Sequence, residues 1–245
     1  MELSSTSWPE AGKSETNLAV LPVGSTEQHG PHAPLGLDCL TAEAVAAAGA
    51  DATDEPTVVA PTIPIGIAAE HRDFSGTLWV SPDTFRSYVR ETIESLAHHG
   101  WDRIVVVNGH GGNVAALREV CSEVSRSDAV YAVPFTWFEA VDPERAGLPP
   151  DTEMGHGGAI ETSLLRHVRP DLIDTEQFEA AVAEGTQRWG EWVSGVNLAY
   201  DTSEFSESGS AGDPRESSPE IGERLLEQAA EKLAALLGAV RGRER

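Results

Sequence analysis

Lysine is nearly missing from this chain. Its 245 residues include 17 basic and 40 acidic side chains, a formal net charge of −23, and of the basic ones only Lys13 and Lys232 are lysines. No basic face can be assembled to neutralise phosphates, and anionic membranes repel such a chain, so neither nucleic acid nor membrane is an expected partner. Apolar runs such as Ile104–Val107 are far too short to span a bilayer. The amino terminus, Met1-Glu2-Leu3-Ser4-Ser5, lacks the basic-then-apolar order of a secretory signal. Cys39 and Cys121 cannot build a disulfide framework, which points to a reducing cytoplasm. Arginine kept while lysine is lost reads as adaptation to molar salt, where charge repulsion is screened within about 3 Å. An ordinary acidic enzyme is the other reading. Both concern solubility, not chemistry.

The rest of the composition is that of a globular protein, with 40% apolar residues and a length suited to a single domain over 1–245. Strand-like and helix-like segments alternate, the pattern of an α/β layered fold. Strands are expected over 17–23, 57–63, 103–107 and 129–135. Helices are expected over 41–50, 81–99, 113–126, 158–169, 175–185 and 220–240. Ser81-Pro82-Asp83 is a strong helix start: an N-cap serine, a first-turn proline and an acid favourable to the helix dipole. Residues 1–16 are expected to be flexible. Residues 195–219 form an irregular acidic loop that covers the site mouth, meets another subunit, or is mobile.

Two familiar glycine motifs fail. Gly12-Lys13-Ser14 would need the first glycine of a phosphate loop at Ser7, and no strand precedes it. Gly109-His110-Gly111-Gly112 would need a third dinucleotide-loop glycine at Val114. A nucleotide-binding module is thereby disfavoured.

Three other clusters carry chemistry. Glu27-Gln28-His29-Gly30-Pro31-His32 with Asp38 supplies mixed carboxylate and imidazole ligands suited to zinc, manganese or iron. Asn108-Gly109-His110-Gly111-Gly112-Asn113 puts a histidine at the carboxyl end of a strand, where α/β sheets bind ligands. Gly155-His156-Gly157-Gly158 precedes a helix that carries Glu161 in its first turn. Each has a bland reading: solvated loop histidines, a glycine turn with an incidental histidine, or Glu161 paired with Arg166. Three such junctions together point to a metal site.

At these residues the chain resembles the creatininase (creatinine amidohydrolase) family. A weaker piece is Glu70-His71-Arg72-Asp73-Phe74-Ser75-Gly76-Thr77, with Ser75 where the family has proline. The resemblance implies a three-layer α/β/α sandwich with a mostly parallel sheet, two divalent metal ions per subunit and a homo-oligomer, usually a hexamer. It implies that Glu27 and His110 bind one metal, His29 the other, and that Asp38 bridges them. His156 is implied as the catalytic residue that hands a proton to the departing nitrogen. Creatinine hydrolases carry an acidic ligand at the position of Gly112, and Glu161 is the expected replacement, as ligand, catalytic base or both. They also place tryptophan where this chain has Thr152, so Trp137 is the candidate aromatic wall. His32, His71, Arg72, Asn108, Gly111 and Gly112 complete the candidate substrate contacts. The expected reaction is hydrolysis of a non-peptide C–N amide in a small molecule, favouring the formamide of a formylamino-pyrimidine ribotide, whose phosphate Arg72 would meet. The alternatives are a peptidase trimming a mycofactocin-type precursor, creatinine hydrolysis, and, in a different class, a metal-binding scaffold without turnover.

Overall fold

Leu18–Val23 (β1) and Arg103–Asn108 (β3) are near-continuous apolar runs, as expected of strands covered on both faces. The computed structural model, which describes residues 1–127, 129–152 and 154–243, pairs them as the centre of a four-stranded sheet. Val58–Val59 (β2) lies outside β1 and Tyr131–Thr136 (β4) outside β3, all parallel. Val20 stands opposite Val59 on one side and Val105 on the other.

Alternation along each strand sorts the core into two layers. Leu18, Val20, Val105 and Val107 face helices Leu37–Ala52 (α1), Ala159–Val168 (α4) and Pro219–Arg241 (α5). Ala19, Leu21, Ile104 and Val106 face Pro82–His98 (α2) and Val114–Val124 (α3). The three-layer α/β/α sandwich is therefore the observed architecture. Among the described residues no helix is long and apolar enough to cross a membrane.

Several boundaries differ from expectation. α1 begins at Leu37, not Thr41, so Asp38 lies inside its first turn, where an acid suits the helix dipole. The strand expected over 57–63 shrinks to two residues; beyond them the Ala60 N–H still bonds the Val20 carbonyl and the Ile63 N–H the Pro22 carbonyl of β1. The helix expected over 175–185 divides into a 3₁₀ turn, Thr175–Gln177, and the short helix Phe178–Ala183. Within residues 1–16 there is a short helix, Trp8–Ala11, and Met1 accepts a hydrogen bond from Val59. The loop 195–219 is irregular but has fixed contacts with the core of the site, described below.

Two glycines let α1 reach the sheet edge. A Cβ on Gly24 would stand 2.5 Å from the Cys39 nitrogen, and one on Gly109 2.2 Å from the Asp38 carbonyl oxygen. Gly109→Ala should therefore destabilise the fold by about 1–3 kcal/mol through overpacking against backbone. The measurement is the urea midpoint; an unchanged midpoint refutes the close approach.

Candidate metal centre

Several short segments converge at the carboxyl ends of β1 and β3. The loop after β1 brings Glu27 and His29, and the first turn of α1 brings Asp38. His110 comes from the turn after β3, His156 from the turn before α4, and Glu161 from the first turn of α4. All six are buried. Their ligand atoms form three overlapping groups, each with its atoms within 4.8 Å of one another: Glu27, Asp38 and His110; His29, Asp38 and Glu161; Glu27, His29 and His156. Asp38 is shared by the first two.

The donor set fits a cation. His110 Nδ1 lies 3.1 Å from Glu27 Oε1 and 3.2 Å from Asp38 Oδ2, and His29 Nε2 lies 3.0 Å from Asp38 Oδ1. Yet both Glu27 oxygens, Asp38 Oδ2 and His29 Nε2 are buried and, among the described residues, have no hydrogen-bond partner. Orphaned buried acceptors are costly unless a cation lies among them. The outward nitrogens agree. His29 Nδ1 meets the Glu27 carbonyl at 3.2 Å, His110 Nε2 the Ile67 carbonyl at 2.7 Å, and His156 Nε2 the Gln28 carbonyl at 2.5 Å. A carbonyl only accepts, so each outward nitrogen carries hydrogen, and in the neutral ring the inward nitrogen is a lone pair.

Without a cation, protons take its place. Burial disfavours charge on His29, but Asp38, Glu161 and Glu27 outweigh it and raise this imidazole to about 9. His110 is likewise raised well above the ordinary histidine value, Glu27 and Asp38 overcoming burial. Burial, with Asp38 and Glu27 against the charge of His29, lifts Glu161 to about 7. His156 goes the other way: burial, then the nearby His29 and His71, hold it well below the ordinary value. It is a neutral ring stacked between His29 and His71, with centroids at 4.2 and 4.3 Å.

A cavity of about 360 Å³ opens onto this cluster, walled by Glu70, His71, Phe138, Met154, His156 and Trp189, with Gly111 and Gly112 at its floor. Some expected contacts are absent from it. Arg72 turns outward and pairs with Asp201, its side chain half exposed. Trp137 is fully buried in the core between sheet and helices; its neighbour Phe138 and the distant Trp189 are the aromatic walls instead. Asn108 shapes the turn: its side chain accepts from the His110 N–H at 3.1 Å and donates to the His110 carbonyl at 2.7 Å. His32 meets the Thr162 hydroxyl at 3.1 Å and packs edge-on against Phe178, behind the cluster. A side chain at Gly112 would stand 2.2 Å from the Ile67 carbonyl oxygen, so the acid of creatinine hydrolases does not fit there. Glu161 instead groups with His29 and Asp38.

The irregular segment is strapped to the site. Ala211 and His156 exchange two 2.8 Å main-chain hydrogen bonds, and Gly209 accepts from Gln28 Nε2 at 3.0 Å. Gly155, at φ +62°, permits this, since a Cβ there would stand 2.1 Å from the Ala211 oxygen.

A family model described as creatinine amidohydrolase matches residues 4–237. The mycofactocin precursor peptide peptidase of Mycolicibacterium smegmatis is 34% identical over 215 residues, covering 85% of this chain and 79% of that protein. Creatinine amidohydrolase of Pseudomonas putida is 31% identical over 178 residues, 65% of this chain and 67% of that protein. A solved mutant creatininase matches with a TM-score of 0.85 at 24% identity, covering 99% of both chains. A mutant creatininase in its zinc–zinc form matches with a TM-score of 0.82 at 24% identity, covering 99% of this chain and 98% of that one.

Because His29 holds a proton up to about 9 and His110 is raised as well, metal must displace protons at neutral pH. Adding zinc at pH 7.5 should release about one proton or more per ion, and affinity should fall as pH drops below 9. Calorimetry in buffers of different ionisation enthalpy counts the protons. Zinc uptake with no proton release contradicts this picture of the cluster.

Proposed function

The chain belongs to the creatininase family, and from that premise we propose a dinuclear metal-dependent amidohydrolase acting on a small peptide-like amide. The observation that carries the reading is the pair of ligand groups sharing Asp38, two members of which, His110 and Glu161, line a cavity. Divalent ions held by Glu27, Asp38 and His110, and by His29, Asp38 and Glu161, would polarise the amide carbonyl and acidify water there.

The chain's own groups do the rest. His156 enters the reaction neutral, with Nε2–H anchored on the Gln28 carbonyl and Nδ1 turned inward, 3.9 Å from Glu27 Oε1. Nδ1 can take a proton from the attacking water and hand it to the departing nitrogen, base first and acid second. Glu161, its Oε2 held by the Gly157 N–H at 2.7 Å, serves as ligand.

The cavity favours the peptide-like substrate over the phosphorylated one. No lysine or arginine is among the described residues that line it, and Glu70 adds negative charge. A ribotide phosphate finds no side-chain cation there, since Arg72 is engaged by Asp201. Phe138, Met154 and Trp189 suit an apolar side chain beside the scissile amide. The 34% identical mycobacterial relative named as a peptide peptidase supports the same choice.

Mass spectrometry of metal-loaded protein should find about two ions per chain, falling to about one in Glu161→Gln. The loaded enzyme should release amine from short peptides with apolar residues at the scissile bond. His156→Ala should keep its metal and lose about 10²–10⁴-fold in turnover. Cleavage of a formylamino-pyrimidine ribotide but of no peptide would overturn the substrate choice. Absence of bound zinc, manganese or iron would overturn the hydrolase reading and favour the scaffold.

A further inference from the structure

One imidazole of the cluster is wired the opposite way from the others. The orientation of the Gln28 amide is set by its own partners: Oε1 accepts from the Gly30 N–H at 2.8 Å and Nε2 donates to the Gly209 carbonyl at 3.0 Å. The group standing 2.7 Å from His71 Nδ1 is therefore the NH₂. Nδ1 must accept, and the single proton of the neutral ring sits on Nε2. The Thr202 hydroxyl, 3.2 Å from the same Nδ1, is a second possible donor to it. Nε2–H points inward, 3.4 Å from Glu27 Oε1, a gap that a small rotation of either side chain closes to hydrogen-bond length. The ring cannot drift far, because it is stacked on His156 and flanked by Trp189.

In the cation-bound centre His110 and His156 turn lone pairs toward Glu27, so among the described residues His71 is the side-chain donor that faces this carboxylate. We propose that His71 is a positioning residue whose Nε2–H aims the Glu27 carboxylate at the cation, in a tautomer dictated by Gln28 and Thr202. The inference rests on the metal-centre reading. It makes the strap carrying Thr202 and Gly209 part of the centre: the strap sets Gln28, Gln28 sets His71, and His71 orients Glu27.

The first test needs no variant. Long-range ¹H–¹⁵N correlation spectra of histidine-labelled protein, with His71 assigned by its loss in His71→Gln, should show the Nε2–H tautomer. An Nδ1–H pattern overturns the proposal. The second test is zinc affinity by chelator competition. His71→Phe, which keeps a ring but no donor, should weaken binding about 10–100-fold. His71→Gln, which restores an N–H donor, should recover most of the loss, and Gln28→Leu should fall between. Wild type that binds zinc and His71→Phe that binds it equally well overturn this inference alone. Wild type that binds neither zinc, manganese nor iron overturns the metal-centre reading with it.

Discussion

Three carboxylates, Glu27, Asp38 and Glu161, are buried within reach of one another at the carboxyl edge of the sheet. Burying one ionised carboxylate is costly; burying three together is untenable unless positive charge lies among them. Imidazoles alone answer that demand by holding protons far above their ordinary range, as His29 does at about 9. A divalent cation answers it with the lone pairs those same imidazoles present. The turns, glycines and strap around the site keep these acids together.

The backbone accommodates the cluster by omitting side chains. Gly24 and Gly109 admit the first turn of α1 and with it Asp38. Gly157, at φ +62°, passes so close to His29 that a Cβ would stand 2.6 Å from its carbonyl oxygen. Asn113 then ties the edges together, accepting from the Ile67 N–H and donating to the Gly24 carbonyl, each at 3.0 Å. Rigid placement matters because ligand groups a fraction of an ångström out of position lose much of their hold on a metal.

Charge works at two scales. Over the whole chain the deficit of lysine leaves −23, which governs solubility. Inside the cavity, no lysine or arginine is among the described lining residues, which include apolar side chains and Glu70. Glu70 stood within the quoted motif around His71, yet nothing in its spacing marked it as a wall of the cavity.

Much was legible in the residues themselves. Alternation and apolar runs along 18–23 and 103–108 are local physics, so the strands and the layered architecture could be read from them. The ligand candidates Glu27, His29, Asp38, His110 and Glu161, and the catalytic candidate His156, lay in three glycine-bearing junctions whose residue types announce metal chemistry. Arg72 and Trp137 were misplaced because neighbours in a chain point to opposite sides: Trp137 turns into the core while Phe138 faces the cavity. Trp189, Thr202 and Gly209 were invisible, since their segment has no periodicity and lies far along the chain from the residues it meets. Sequence alone determined which donors exist and near which junctions they lie, because those are properties of short stretches, while the placing of Asp38 inside α1 was not among them. Only the tertiary structure decided which nitrogen of each histidine faces inward and which aromatic ring walls the cavity. Those depend on partners brought together from opposite ends of the chain.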